Sequence, residues 1–533
     1  MVTCSVVLAA AIFSSCAQTI GPTTGDLGAN ELSMAQLRDK IAGGWAGKMI
    51  GVSYGAPTEF RAIGETYEQE LSWEPGMVIN SIYQDDLYVQ MSFMMTMDQY
   101  GMDAPAEKFA ESFANAGYRL WHANRKARKN VWDGIMPPLS GNPKYSMHAD
   151  DIDFQIEADY IGFMCPGMPQ YSNQMCDKIG HIMNYGDGVY GGMFVCALYT
   201  TAYFEKDIEK IVQTALEAIP RESQYAQCIQ DVIDGYMSNP DDWRSTWQAI
   251  QSKWGEVDIC GAMDPFNIDA KLNGAYIAMG LLYGQGDFKK TMDVSIRCGQ
   301  DSDCNPSNAA AVLGIRDGYS GIPKIWTEGI PEIANSVFIF TDYSFNSVVE
   351  KTLEYAKEIA VQNGGRVEDD KLLVNIQLPE APPLEQSFPG LKAAYRTTIE
   401  DPEGWQWKGD WQTYEFDIGF GIGQITGMVC DTKGAEFTLT FNGTGILIMG
   451  HWDQDGGKAD VYIDGQLDRT IDAYYWVANQ GAGFAWTNGA HLYHALDLEP
   501  GEHTVRMVVT GEKNERATGT KLYVERAIVY EST

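Results

Sequence analysis

The sequence predicts a multidomain protein, an all-α domain followed by an all-β sandwich domain. Three observations carry that prediction. From residue 30 to about residue 370, apolar residues recur three and four apart, the spacing of one helix face. The stretch "LPEAPPLEQSFPG" (Leu378 to Gly390) then interrupts the pattern with prolines. After it, apolar and polar residues alternate between Gly, Asn and Asp turns, the pattern of half-buried strands. The expected boundaries are a leader over 1–18, a helical domain over 30–370, a Pro-rich linker over 371–390 and a sandwich over 391–533.

The leader "MVTCSVVLAAAIFSSCAQTIG" holds an apolar run from Val6 to Phe13, too short for a bilayer and of signal-peptide size. "FSSC" is similar to a bacterial lipobox and predicts a lipid anchor on Cys16. The expected location is the periplasm or the cell surface, although no Lys or Arg precedes Arg38 to form a positive start. No other segment is apolar enough to span a membrane. In the helical part, Met34, Leu37, Ile41, Trp45 and Met49 trace one face; Leu87, Met91, Met94 and Met95 trace another. Ile208, Ile211, Val212 and Leu216 repeat the spacing, and Val348, Leu353 and Ala356 mark a last helix. Strands are predicted in "AEFTLTFNGTGILIMG", "ADVYIDGQLDRTID" and "HTVRMVVTG".

The chain has 533 residues and a net charge of −34. That charge argues against a nucleic-acid partner, which needs a basic footprint, and disfavours anionic substrates unless a bound metal inverts the local field. Two of the ten cysteines lie in the leader. The rest show neither CxxC nor zinc spacing and are expected as buried thiols.

The chemistry concentrates in short polar stretches at predicted helix ends. "CGQDSDCNPSNAAAVLG" places Asp301 and Asp303 before a helix predicted to start at Asn305-Pro306, and its small alanines imply a close neighbour. "YQDDLYVQM" sets Gln84, Asp85 and Asp86 before another helix. "GVSYGAPTEF" presents Glu59, and "HIMNYGDGVYGG" is a Gly-rich loop. Each alone has an ordinary explanation: helix-start charge, a solvated carboxylate, a turn. Together, carboxylates from two loops suit one or two hard divalent cations. In "HADDIDFQIEADYIG", a helix would put Asp150, Asp153 and Glu157 on one face, either solvated or lining a sugar pocket. Trp132 and Tyr190 are candidates for stacking on a sugar, or for core.

In order and in placement, these stretches resemble the ADP-ribosylglycohydrolase family over roughly residues 34 to 330. That family carries G-D-x-x-G-x-x-x-E, then T-D-D, then an Asn/Gly-rich loop, then D-x-D-T. Here "GVSYGAPTE", "QDD", "NYGDG" and "DSDC" stand in the same sequence. The resemblance implies magnesium or manganese, one or two ions, held by Asp85, Asp86, Asp301 and Asp303, with Gln84 and Cys304 in the family's threonine positions. It implies catalytic roles for Glu59, Asp86 and Asp303. Substrate contacts are expected from Glu59, Asn184, Gly186, Asp187, Gly188 and Tyr190, with Asp153 and Glu157 added from their own pattern. Gln84 keeps a carbonyl oxygen, a Cys304 thiol is a poor magnesium ligand, Val52 replaces an Asp, and Phe194 follows Met193 where the family often has Arg.

The implied activity is magnesium-dependent hydrolysis of the anomeric bond of an ADP-ribosyl or other ribose-like furanosyl substrate. Two alternatives stand beside it: an exported glycoside hydrolase acting on a neutral glycan, and a non-catalytic glycan-binding surface protein on an inactive scaffold. The β half resembles accessory domains of secreted bacterial glycan-active enzymes. Tyr474, Tyr475, Trp476 and Trp486 form its candidate sugar platform, or its core.

Overall fold

The computed structural model describes residues 30–256, 258–261, 266–401, 404–417, 424–477 and 489–532. The leader with Cys16, and Trp486, lie outside the described residues. Among the described residues, seventeen α-helices run between Met34 and Gln362. The first, Met34–Gly55, is opened by a capping box at Ser33 and lies along the helix Cys304–Asp317. Gly43, Gly47, Gly51 and Gly55 fall every fourth residue and face that helix. A Cβ at each would meet Gly314 O at 2.0 Å, Ala310 O at 2.4 Å, the Ser307 Cα at 2.4 Å and Ser302 O at 2.2 Å. The two helices therefore touch backbone to backbone, which is the close neighbour the small alanines implied.

A small antiparallel sheet closes the helical part. Glu31–Ser33 pairs with Lys371–Leu373, which pairs with Arg366–Glu368. The ordered helical unit thus carries strands, reaches Leu373 and ties its own beginning to its end. The Pro-rich segment that follows is strapped down. Gln377 N donates to Gly167 O at 2.9 Å, and the His181 ring bonds Glu385 at 3.0 Å.

The β half is a sandwich of two antiparallel sheets. One has the order Gln466–Asp472, Gly457–Ile463, Gly501–Lys513, Glu436–Gly443, Trp405–Lys408. The other runs Ala490–Ala495, Gly445–His451, Leu522–Ser532, Gln424–Cys430, Gln412–Asp417, with Leu391–Thr398 also pairing to Leu522–Ser532. Residues such as Phe437, Leu439, Ile448, Val505 and Val524 fill the space between. The sandwich docks on the helical domain. Met147 and Cys260 pack with Leu447, Met449, Ile528 and Tyr530, and Trp132 lies 5.3 Å from Tyr475.

That docking corrects the sugar-platform expectation. Tyr474 and Tyr475 are buried, Trp132 belongs to the interdomain contact, and of the described candidates only Trp476 is exposed, at 40%. All eight described cysteines are buried, unpaired thiols. No described helix is long and apolar enough to cross a membrane.

Candidate metal-binding active site

Asp303 caps the helix Cys304–Asp317, its carboxylate accepting the Cys304 N–H at 3.0 Å. The helix so begins two residues before the start predicted at Pro306, which sits in the first turn, where its missing N–H costs nothing. The loop ahead of it is stitched to the end of the first helix. The Thr58 and Ser302 hydroxyls lie 2.8 Å apart, and Phe60 N donates to Gln300 O at 3.1 Å. Glu59 lies between those two stitches. One oxygen each from Glu59, Asp301 and Asp303 falls within 4.8 Å of the others.

Repulsion and burial together raise all three carboxyl groups. The Asp303 carboxylate beside exposed Glu59 pushes its pKa up to about 9. Burial raises Asp303 to about 6, and burial together with Asp303 holds Asp301 well above the carboxylate range. Asp301 Oδ1 is buried and has no hydrogen-bond partner. Three carboxyl groups converging with one oxygen left unsatisfied form an all-oxygen donor set, which fits a hard divalent cation.

The other acidic pair is handled differently. Asp85 and Asp86 occupy the first turn of the helix Asp85–Tyr100. Asp86 is fully buried, and both of its oxygens have partners: Lys48 Nζ at 3.0 Å and Cys304 Sγ at 3.1 Å. Lys48 is itself fully buried and also reaches Asp159 at 2.8 Å and Ile156 O at 2.8 Å. Burial disfavours its charge, but Asp159 and Asp86 outweigh burial and raise its pKa. Asp159 further accepts from Asn308 at 2.9 Å, Gln90 at 3.1 Å and the Tyr199 hydroxyl. Asp85 is half-buried, and burial with Asp86 beside it raises it to about 7. Gln84 starts the helix through its backbone carbonyl, which accepts from Leu87 and Tyr88 at 3.1 and 3.2 Å. The Cys304 thiol is turned to Asp86 and packs among Ile152, Ile156 and Ile268.

The remaining sequence candidates divide. Asp153 accepts from Ala123 N and Asn124 N at 3.2 and 3.0 Å, holding the start of the helix His122–Trp132. Glu157 bonds Asn124 through one oxygen, and its other is buried without a partner. Burial and the Asp153 charge keep Glu157 well above the usual carboxylate range. Asp150 lies ahead of this helical turn and accepts from Ser387 of the linker, so the three acids share no face.

The Gly-rich loop is scaffold in this structure. The Asn184 amide donates to Ala149 O and Asp151 O at 3.0 and 2.8 Å and accepts from Phe154 N at 3.0 Å. A Cβ at Gly188 would meet Ala149 O at 2.4 Å, and Gly186 takes a φ of 49° under Ser387. Asp187 accepts from Tyr225 N at 3.0 Å, and the Tyr190 hydroxyl is engaged by Pro383 and Glu385 of the linker. The residues expected to hold substrate through this loop hold the segment that carries Asp153 and the linker.

Two features escape the sequence. Lys48 sits in an apolar helix with partners far along the chain. His122, His148 and Asp151 form a further cluster, the last two of them buried: His148 Nδ1 bonds Asp151 at 2.6 Å, and Cys260 Sγ approaches the other Asp151 oxygen at 3.2 Å. His491 of the sandwich stacks on His148 at 4.0 Å, so the β domain reaches the same neighbourhood. The scarcity of histidine, seven in all, was the one available signal.

The family model described as ADP-ribosylglycohydrolase matches residues 33–361. A protein of Flavonifractor plautii, A type blood alpha-D-galactosamine galactosaminidase, is 28% identical over 191 residues, 36% of this chain and 16% of its own length. The match thus spans a small part of that relative. Among solved structures, an ADP-ribosylglycohydrolase-related protein complex aligns at a TM-score of 0.43 and 12% identity, over 60% of this chain and 98% of its own. A family 35 carbohydrate binding module from an environmental isolate aligns at a TM-score of 0.16 and 14% identity, over 26% of this chain and 93% of its own. The family match takes in more than half of the sequence and includes Glu59 and both acidic pairs, and on that ground this chain belongs to the ADP-ribosylglycohydrolase family.

Proposed function

We propose that the protein is a divalent-cation-dependent glycohydrolase that cleaves the anomeric bond of an ADP-ribosyl or other ribose-like furanosyl substrate. One observation supports this most: Glu59, Asp301 and Asp303 converge, with a buried Asp301 oxygen lacking any partner. Asp301 and Asp303 would hold magnesium or manganese. When bound, the cation supplies fixed positive charge that orients sugar hydroxyls and acidifies water. Glu59 is the exposed member of the trio, and in the metal-free site the Asp303 carboxylate beside it raises its pKa to about 9. It is the group placed to exchange a proton with the departing oxygen. Lys48 fixes Asp86 and Asp159 beneath the site and so positions the Asp85 helix.

A second reading keeps the chemistry and changes the substrate to a glycan. The position after Met193 is Phe194, fully buried, so that loop offers no arginine for a phosphate; the galactosaminidase likeness leans the same way. The leader fits an exported protein anchored through Cys16, which membrane fractionation with and without Cys16→Ala would test. The deciding experiment is release of free sugar from ADP-ribosyl conjugates and from aryl furanosides, in Mg²⁺ and in EDTA. Turnover of either in Mg²⁺ alone supports a glycohydrolase and picks the substrate. The absence of turnover on every substrate would leave a non-catalytic glycan-binding scaffold.

A further inference from the structure

The chain is strongly acidic, yet one cleft is not. Between the helix His122–Trp132 and the sandwich lies a cleft of about 540 Å³, within the size range of small-ligand sites. Its walls carry Lys126, Lys129, Lys458 and Arg469 against only Asp133 and Asp472. Lys129 is paired with Asp133 at 2.5 Å, and Arg469 with Asp468 at 2.7 Å. Asp472 is occupied by Tyr474 N and the Asn514 amide at 2.9 and 3.0 Å. Lys126 and Lys458 form no ion pair among the described residues, so the cleft keeps net positive charge in a molecule of −34. Held between two domains, that charge is shielded from bulk water and acts more strongly than on an open surface.

The aromatic rings argue for the kind of anion. Trp452 is packed by Tyr475 at 5.8 Å and by the Arg125 and Lys126 cations at 5.6 and 5.5 Å. Arg469 lies over Tyr493 at 5.0 Å, and Trp132 is taken by Tyr475 and by Arg516 at 5.7 Å. These rings are already engaged, so a flat base finds no bare platform. What the cleft offers is ammonium and guanidinium donors along a polar wall. His122, Lys126 and Lys129 share one face of their helix. The start of that helix is held by Asp153, which does not line the cleft.

We propose that this interdomain cleft is a binding subsite for an anionic saccharide, one bearing carboxylate or sulfate groups. It goes beyond the hydrolase reading, because binding here needs neither the cation nor turnover. Lys126 and Lys458 are its principal anion contacts. Burial pushes Lys126 down to about 7, which an anion would reverse.

The test is calorimetric titration of the full-length protein in EDTA, which removes the metal site from the reading. The probes are trigalacturonic acid, a chondroitin sulfate disaccharide, a neutral galactotriose and ADP-ribose. The expected result is binding of at least one acidic saccharide, tenfold or more tighter than the neutral one. That binding should weaken at least tenfold in Lys126→Gln/Lys458→Ala, and also when salt rises from low to near-physiological strength. Lys458→Ala alone, on a half-exposed strand position, should weaken it severalfold and guards against a folding defect in the double variant. The proposal is overturned if both acidic saccharides fail to bind, if galactotriose binds as tightly, if ADP-ribose is the tightest of the four, or if variants with wild-type melting bind as the wild type does. Hydrolysis assays with Mg²⁺ report separately on the acidic site, so either reading can fail without the other.

Discussion

The two acidic loops of the helical domain look alike in sequence and are built for opposite ends. Each sets two aspartates at a helix start; the first loop buries Asp86, and the second buries both Asp301 and Asp303. Around Asp86 the chain supplies its own cation: Lys48, the Cys304 thiol and, through Lys48, Asp159 with its own donors. Around Asp301 it supplies none, and one oxygen stays without a partner while Glu59 and Asp303 crowd in. A buried carboxylate with an internal counter-charge holds the fold together. A buried carboxylate without one is poised for a cation from outside.

Removing the internal cation should cost most. In Lys48→Met, Asp86 and Asp159 keep their burial and lose their ammonium, the situation that costs about 3–5 kcal/mol when one partner of a buried pair is deleted. Urea unfolding of the variant should show a loss of that order. A loss below about 1 kcal/mol would mean that the two carboxyls simply take up protons, and the contrast between the loops would collapse.

Asp301→Asn should do the reverse. Without metal it removes repulsion, so melting in EDTA should match or exceed wild type, while turnover is abolished. Wild type should gain about 2.7 kcal/mol from Mg²⁺ at a hundredfold excess over its Kd, and the variant little. A variant that melts far lower in EDTA would show that Asp301 is a structural residue like Asp86.

The acid dependence sharpens the same contrast. In EDTA, folded Asp303, Asp85 and Glu59 hold protons up to about 6, about 7 and about 9. Unfolded carboxyls release theirs near ~4. The folded state therefore binds more protons across that window, and stability should fall as pH rises from ~4 towards 9. Saturating Mg²⁺ should flatten the slope, because a cation takes over the neutralising role of the protons. Parallel melting curves across pH with and without Mg²⁺ would argue that no cation sits among these groups.

The sequence made the division of the chain legible because period and proline content change together near Leu378. It also made the acidic loops legible, since their order and spacing survive without any tertiary knowledge. It did not reveal Lys48: a lone lysine in an apolar helix finds its partners only after the Asp85 and Asp159 segments fold over it. The Gly-rich loop is hard to read for a related reason. Glycines admit a close neighbour, and whether that neighbour is a ligand or the chain's own backbone is decided by packing; at Gly188 it is Ala149. Tyr474 and Tyr475 stayed open between sugar platform and core because alternation tells which side of a strand is apolar, not whether another domain covers it.

Cys304 is the smallest lever and lies where the two loops meet, since ligand atoms of Asp86, Asp303 and Cys304 also fall within 4.8 Å of one another. In Cys304→Thr the hydroxyl replaces a soft thiol with a hard oxygen. It can keep a hydrogen bond to Asp86, but it enters the apolar company of Ile152, Ile156 and Ile268. Those effects oppose each other, so stability should stay within about 1 kcal/mol of wild type. Metal affinity is then the sensitive reading. If the cation is confined to the Asp301 side, Mg²⁺ titration should return the wild-type Kd within a factor of two and an unchanged stoichiometry. A second equivalent of Mg²⁺ in the threonine variant would show that Asp86 can exchange Lys48 for metal, and that the two loops differ by a single side chain rather than by design.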